Sequence, residues 1–201
     1  NTGLIFHDLE DYPKAISYFE RGIHLANQVN SDISLEMLFL NLGSVYFRLD
    51  DFKVALNYFE QSLAIKKKNK IPFGINLERI ASVYFKTGFF NKSKEHYLAA
   101  IAEFNKYEDE IHIFNAQLGL ADVYEAAVKA HGIKVTAVTA HEDGKADYSS
   151  EVATLASAGG DALAVIGYLD QGGKGMIQAS LDSGAFDKFV LSDGMIGQSL
   201  V

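Results

Sequence analysis

The side chains best suited to chemistry here are six histidines, 26 acidic residues and a few glycine-rich turns, and their spacing decides what they can do. A metal site needs several His, Asp or Glu ligands at short fixed intervals. His7, His24, His96, His112, His131 and His141 show no such interval. His141-Glu142-Asp143-Gly144 has turn character and lacks the ligand spacing of a calcium loop. Gln171-Gly172-Gly173-Lys174-Gly175 has the glycines of a phosphate loop but no following Lys-Ser or Lys-Thr pair, so it reads as a flexible helix entry. No Gly-x-Ser-x-Gly elbow occurs. The absence of cysteine excludes disulfides, thiolate ligands and thiol nucleophiles. No carboxylate stands in an apolar context that would tune it as an acid. Lys66-Lys67-Lys68-Asn69-Lys70 closes a helical pattern, where cations offset the negative end of the helix dipole, and reads as a solvated helix end. These residues predict no enzyme, no cofactor and no metal site.

The formal charge of −8 argues against nucleic acid as the main partner, because phosphate binding needs a basic face. A hydrophobic content of 48% fits a folded chain, and no apolar run is long enough to span a membrane. The chain opens at Asn1 with no charged-then-apolar leader, and it opens inside a repeat. The expectation is a fragment or an engineered chain, cytoplasmic if made as given, with no compartment selected by the residues themselves.

The elements that position side chains are repeats. Leu42-Gly43-Ser44-Val45-Tyr46, Ile80-Ala81-Ser82-Val83-Tyr84 and Leu120-Ala121-Asp122-Val123-Tyr124 align, and a truncated copy carries Gly3 and Phe6 at the same places. Each of the first three copies is followed by a turn and a second helical pattern, at Tyr12-Pro13-Lys14-Ala15, Phe52-Lys53-Val54-Ala55 and Phe90-Asn91-Lys92-Ser93. A small residue in the first helix lets the second approach closely, and aromatic rings fill the space between. One helix pair cannot bury its apolar face alone, so pairs stack.

Residues 1–124 therefore resemble the tetratricopeptide repeat family, in its longer form with an extended second helix. The resemblance implies an α-solenoid and a non-enzymatic protein- or peptide-binding scaffold that uses a groove lined by first helices. By position, Leu40, Ser44, Phe47 and Arg48, then Glu78, Ser82, Phe85 and Lys86, face that groove. The Phe-Arg and Phe-Lys pairs suit an acidic or aromatic peptide, through apolar area plus charge. Members that clamp a terminal carboxylate carry Lys and Asn on this surface. Leu40 with Ser44 and Glu78 with Ser82 stand there instead, so that activity is not expected.

After Glu125 the pattern changes. Residues 133–138, 161–167 and 186–192 read as strands, and 148–158 and 173–183 as helices, which predicts a parallel βαβαβ arrangement. Asp147 and Ser149 are helix-start residues, and Gly159-Gly160 a helix stop. The wording of 133–201, with Asp147-Tyr148-Ser149-Ser150, Gly159-Gly160-Asp161-Ala162-Leu163, Gly167-Tyr168, Ser183-Gly184-Ala185-Phe186-Asp187 and Leu191-Ser192-Asp193-Gly194, is similar to the second lobe of type I periplasmic solute-binding proteins for branched-chain amino acids or amides. That resemblance implies a ligand cleft at the strand C-termini, with Tyr168 stacking or hydrogen-bonding and Asp193 receiving an ammonium group. The first lobe and one strand of this lobe's sheet are missing from the pattern. Weak or no binding of an amino-acid-like ligand is expected from this chain alone, and exposed sheet edges predict a homodimer.

Residues 116–132 belong to both patterns, as the first helix of one more repeat and the helix that enters the α/β part. Composition breaks at the same place: all ten Asn, twelve of fourteen Phe and eight of ten Tyr precede Glu125. The expected architecture is an α-solenoid of tetratricopeptide-like helix pairs (1–124), joined through a shared helix (116–132) to a small α/β parallel-sheet fragment (133–201). The break marks it as an engineered or recombined chimera. Its function is peptide or protein binding, with amino-acid or amide sensing by the α/β half as the alternative.

Overall fold

The structure, a computed structural model, describes residues 2–139, 144–165 and 172–191. It is mostly helical. The described elements are α1 (Thr2–Asp8), α2 (Tyr12–Gln28), α3 (Asp32–Arg48), α4 (Phe52–Lys68), α5 (Gly74–Lys86), α6 (Phe90–Asn105), α7 (Glu110–Ala130), α8 (Ser149–Ser157), β1 (Leu163–Val165), α9 (Lys174–Ser183) and β2 (Phe189–Leu191). The chain divides into two compact units, Asn1–Ala127 and Val128–Val201, and the division falls inside α7.

In the first unit the turns repeat as regularly as the helices. Glu10 and Asp50 take left-handed conformations after α1 and α3, with φ of 58° and 57°, and Gly88 does so after α5 with φ of 78°. Asn30, Lys70 and Glu108 do the same after α2, α4 and α6. At each of these ends an amide reaches back five residues: Asp11 to Phe6, Asp51 to Tyr46, Phe89 to Tyr84, and Ser31 to Ala26, Ile71 to Lys66, Asp109 to Phe104. This is the Schellman closure, which satisfies the last carbonyls of a helix. Asp11, Ser31 and Asp51 then cap the next helix by accepting a bond from the amide three residues on.

The close approach of each pair is set by the small residue. A Cβ on Gly3 would lie 2.6 Å from the Phe19 ring, and one on Gly43 would lie 2.5 Å from the Phe59 ring. Two ring contacts recur in every pair. Phe6–Tyr18, Tyr46–Tyr58 and Tyr84–His96 have centroids 5.3, 5.7 and 5.2 Å apart, while His7–Tyr12, Phe47–Phe52 and Phe85–Phe90 lie at 6.2, 5.5 and 6.2 Å. Polar groups tie α4 to its own partner α3 and to α5 of the next pair. Buried Ser62 donates to the Glu36 carbonyl, the buried Asn76 amide donates to Ser62 Oγ, and Lys66 lies 3.5 Å from the Glu36 carboxylate.

The repeat stops at α7. Positions 12 and 16 residues after Gly3, Gly43 and Ala81 hold Ala15 and Phe19, Ala55 and Phe59, Ser93 and Tyr97, all buried in second helices. The same steps from Ala121 reach Ile133 and Ala137, which lie in no helix. Gly132, at φ of 75°, and the Ile133 amide bonding the Val128 carbonyl close α7 instead. α7 also begins earlier than the helix expected over 116–132, because Asp109 accepts from the His112 amide and starts it there.

In the second unit α8 and α9 cover a sheet of two short strands. β1 pairs with β2 in parallel, with Leu163 opposite Phe189, Ala164 opposite Val190 and Val165 opposite Leu191. Tyr148, Val152, Leu155, Leu163, Val165, Met176, Ile177 and Phe186 form the core. Asp147 accepts both the amide and the hydroxyl of Ser149 and starts α8, and Gly159 and Gly160 end it at φ of 73° and 140°. The five-element βαβαβ reading needs correction at 133–138, which forms no strand. Val135 and Ala137 turn half inward, Ala137 packs on the core of this unit, and the Thr136 hydroxyl donates to the Gly159 carbonyl, 2.6 Å away. A parallel strand exists only through the ladder to a neighbour, and no neighbour is placed alongside this segment among the described residues.

Candidate functional site

α3, α5 and α7 are the first helices of successive repeats, and α3 touches α5 directly. Residues four apart on a helix share a face. The aligned positions therefore form rows: Leu40, Ser44 and Arg48 on α3, Glu78, Ser82 and Lys86 on α5, and Leu118 and Asp122 on α7. Ser44 and Ser82 each donate to the carbonyl four residues back, Leu40 and Glu78, so both hydroxyls lie folded against their own helices. Arg48 and Lys86 are exposed at the helix ends.

The two candidate phenylalanines, Phe47 and Phe85, are packing residues in large part. Phe47 meets Phe52 edge-on and lies against the cluster of Ala55, Phe59, Ile80 and Val83. Phe85 meets Phe90 and lies against the cluster around Ala100 and Ile101. Leu40 also packs on the Phe59 cluster and is half-buried. What remains free on the face is mostly polar, the charged ends of α3 and α5 and the middle of α5 and α7, with Leu118 of α7 as an exposed apolar side chain.

That middle region contains two residues the sequence reading did not single out. Tyr97 comes from the second helix α6 and is 6% exposed, yet its hydroxyl lies 3.0 Å from Ser82 Oγ on α5, and its ring lies against Gly119 of α7, where a Cβ would come within 2.5 Å. The side chain thus passes between two first helices. Burial raises its pKa, the Ser82 hydrogen bond lowers it, and the Glu78 and Asp122 carboxylates raise it. Asp122 is exposed and stands where Ser44 and Ser82 stand in their repeats. The aligned five-residue stretches already showed that substitution, whereas nothing in the sequence told that Tyr97 would reach through to this side.

Glu78 is half-buried, and burial pushes its carboxyl above the ordinary range, against smaller opposing pulls from Arg79 and His112. Among the described residues its carboxylate has no hydrogen bond and no ion pair. His112 is held elsewhere, 2.8 Å from Asp109.

In the second unit, Tyr168 and Asp193 lie outside the described residues, as do His141 and Gln171. An open cleft of about 430 Å³ there is lined by Lys145, Asp147, Ser149, Gln178, Asp182 and Ser183, with no convergent reactive pair. Among the described residues no group of three or more His, Asp or Glu is placed to hold a metal ion. No described helix is long and apolar enough to cross a membrane.

Comparison with known proteins gives the class. The family model for the tetratricopeptide repeat matches residues 1–68. The apo form of RapI is 15% identical, with 75% of this chain and 54% of that chain covered at a TM-score of 0.55. A Rap protein complexed with Competence and Sporulation Factor is 17% identical, with 76% and 43% covered at 0.54. BtubC (BKLC) from P. vanneervenii is 16% identical, with 91% and 75% covered at 0.58. No curated protein matches the chain. The chain spans about half the length of the two Rap chains. At these identities the likeness is one of fold: tetratricopeptide-like helical repeats.

Proposed function

We propose that this chain is a non-enzymatic scaffold that binds a peptide or a protein segment on the first-helix face of α3, α5 and α7. The observation that carries this is the row of position-equivalent side chains, Leu40, Ser44 and Arg48 beside Glu78, Ser82 and Lys86. It runs across adjacent helices and ends in charged groups that packing does not use. The helical-repeat fold supports it, as does a Rap protein of similar fold solved with Competence and Sporulation Factor. Phe47 and Phe85 contribute the floor, and Arg48 and Lys86 the cationic rim that an acidic residue of the partner would meet. The test is selection of binders from a random peptide library on the full chain, followed by Ser44→Arg, which fills the face. Loss of binding with unchanged far-UV dichroism supports the proposal, and full binding by the Ser44→Arg variant refutes it.

A second reading, a recombined chain whose α/β half senses an amino acid or amide, draws on the parallel β1–α9–β2 unit. Its candidate residues are Tyr168 and Asp193. Calorimetric titration with amino acids and amides tests it, and no heat at millimolar ligand disposes of it. Exposed Val190, at 62%, and Leu191, at 38%, make β2 the proposed site of pairing with a second copy, which analytical ultracentrifugation decides.

A further inference from the structure

We propose that the part of this face between α5 and α7 is a subsite for a basic side chain, the lysine or arginine of a bound peptide, with Glu78 and Asp122 as its counter-charges. This rests on the reading of the first-helix face as a binding surface and names the chemistry that one portion of it selects.

Three observations converge. Glu78 sits half-buried in the middle of α5 with no ion pair or hydrogen bond to its carboxylate among the described residues. A carboxylate partly withdrawn from water without a partner is costly for the free protein, and a cation arriving from outside relieves that cost. Tyr97 brings a hydroxyl to the same place, bonded to Ser82 one turn after Glu78 and lying against Gly119, three residues before Asp122. A hydroxyl there can accept a bond from an ammonium or guanidinium group. Beside these polar groups Leu118, one turn before Asp122 on the same face of α7, is 55% exposed and offers apolar area to the stem or neighbour of a basic residue.

The surrounding charges set the register. Arg79 on α5 and His112 on α7 are the basic side chains that act on Glu78, and neither pairs with it. Lys86 lies two turns from Glu78, and Arg48 lies at the matching position on α3. The face thus carries an acidic middle at α5–α7 and a basic end at α3–α5. A peptide with a basic residue followed or preceded by an apolar one fits the first region, and an acidic residue displaced along the peptide fits the second. The opposite placement sets like charges against each other.

The experiment uses the full chain and a positional-scanning library of fluorescein-labelled hexapeptides, read by fluorescence polarisation. The expected result is a preference for Lys or Arg at one position with an apolar residue adjacent. Glu78→Gln weakens the best pool at least ten-fold, and Glu78→Lys turns the preference at that position toward Asp or Glu. Asp122→Asn weakens it less, and raising the salt weakens binding to the wild type more than to Glu78→Gln. Binding that Ser44→Arg blocks but that is indifferent to Glu78→Gln sinks the subsite and leaves the broader reading standing. Absence of any peptide binding to the wild type sinks both.

Discussion

Gly43→Ala puts two opposed effects on one atom, and the sign of the outcome decides which is real. On helix propensity alone, replacing a mid-helix glycine by alanine stabilises by about 1 kcal/mol. In this fold the new methyl lies 2.5 Å from both Cδ1 and Cε1 of Phe59. Carbon atoms rest at about 3.5–4 Å, so the ring or the helix must move by about 1 Å. Phe59 is fully buried among Ala55, Ile80 and Val83 and has no open side to move toward. Overpacking of this kind costs about 1–3 kcal/mol, which leaves a net loss of about 0–2 kcal/mol once the propensity gain of about 1 kcal/mol is set against it. Urea unfolding followed by dichroism, with hydrogen exchange of α3 and α4 to localise the change, measures it. Phe59→Leu makes room at the same spot, so the double variant should lose less than the sum of the singles by about 1 kcal/mol. A more stable Gly43→Ala protein would refute the close-packed pair as the organising contact of the repeat.

Other outcomes follow from single positions. Gly88 has φ of 78° and open space around a built Cβ, so Gly88→Ala should cost about 1 kcal/mol through backbone strain alone, read as a lower urea midpoint. Ser93 is fully buried and donates to the Ala81 carbonyl at 2.8 Å, so Ser93→Ala should cost about 1 kcal/mol by the same measurement. Glu78 has its pKa raised by burial, which disfavours the charged form, so the folded state is penalised once pH passes the ordinary carboxylate range. Glu78→Gln should therefore raise Tm at pH 7, with the gain vanishing as the pH falls below that range. Glu151 is held down to about 2 by the Lys145 amine and the Ser150 hydroxyl. Its contribution is complete above the ordinary value of 4.5 and is lost as pH falls toward about 2, which an NMR titration of the Glu151 carboxyl shows directly.

The solenoid was legible because its signal is local and repeated. Small residues and rings recur at fixed steps, and each recurrence reports the same contact between Gly3 and Phe19 or Gly43 and Phe59. The strand expected at 133–138 was not, because alternation along one segment says nothing of whether another strand lies beside it; β1 and β2 found each other, and this segment did not. The candidate face was legible only as positions. That Arg48 and Lys86 point to solvent follows from the repeat, whereas the use of Phe47 and Phe85 in ring pairs depends on Phe52 and Phe90 across a turn. Tyr97 was hidden for a different reason. Its place in the repeat is that of Phe19 and Phe59, and only the hydroxyl and the gap at Gly119 carry it past the core to Ser82.

The most direct test of the account is hydroxyl-radical footprinting of the full chain with and without a library-selected peptide. Binding on the first-helix face should protect Phe85 and Leu118 while leaving exposed Leu25 and Val29 of α2 unchanged. Protection confined to second helices, or to residues after Ala127, would contradict it.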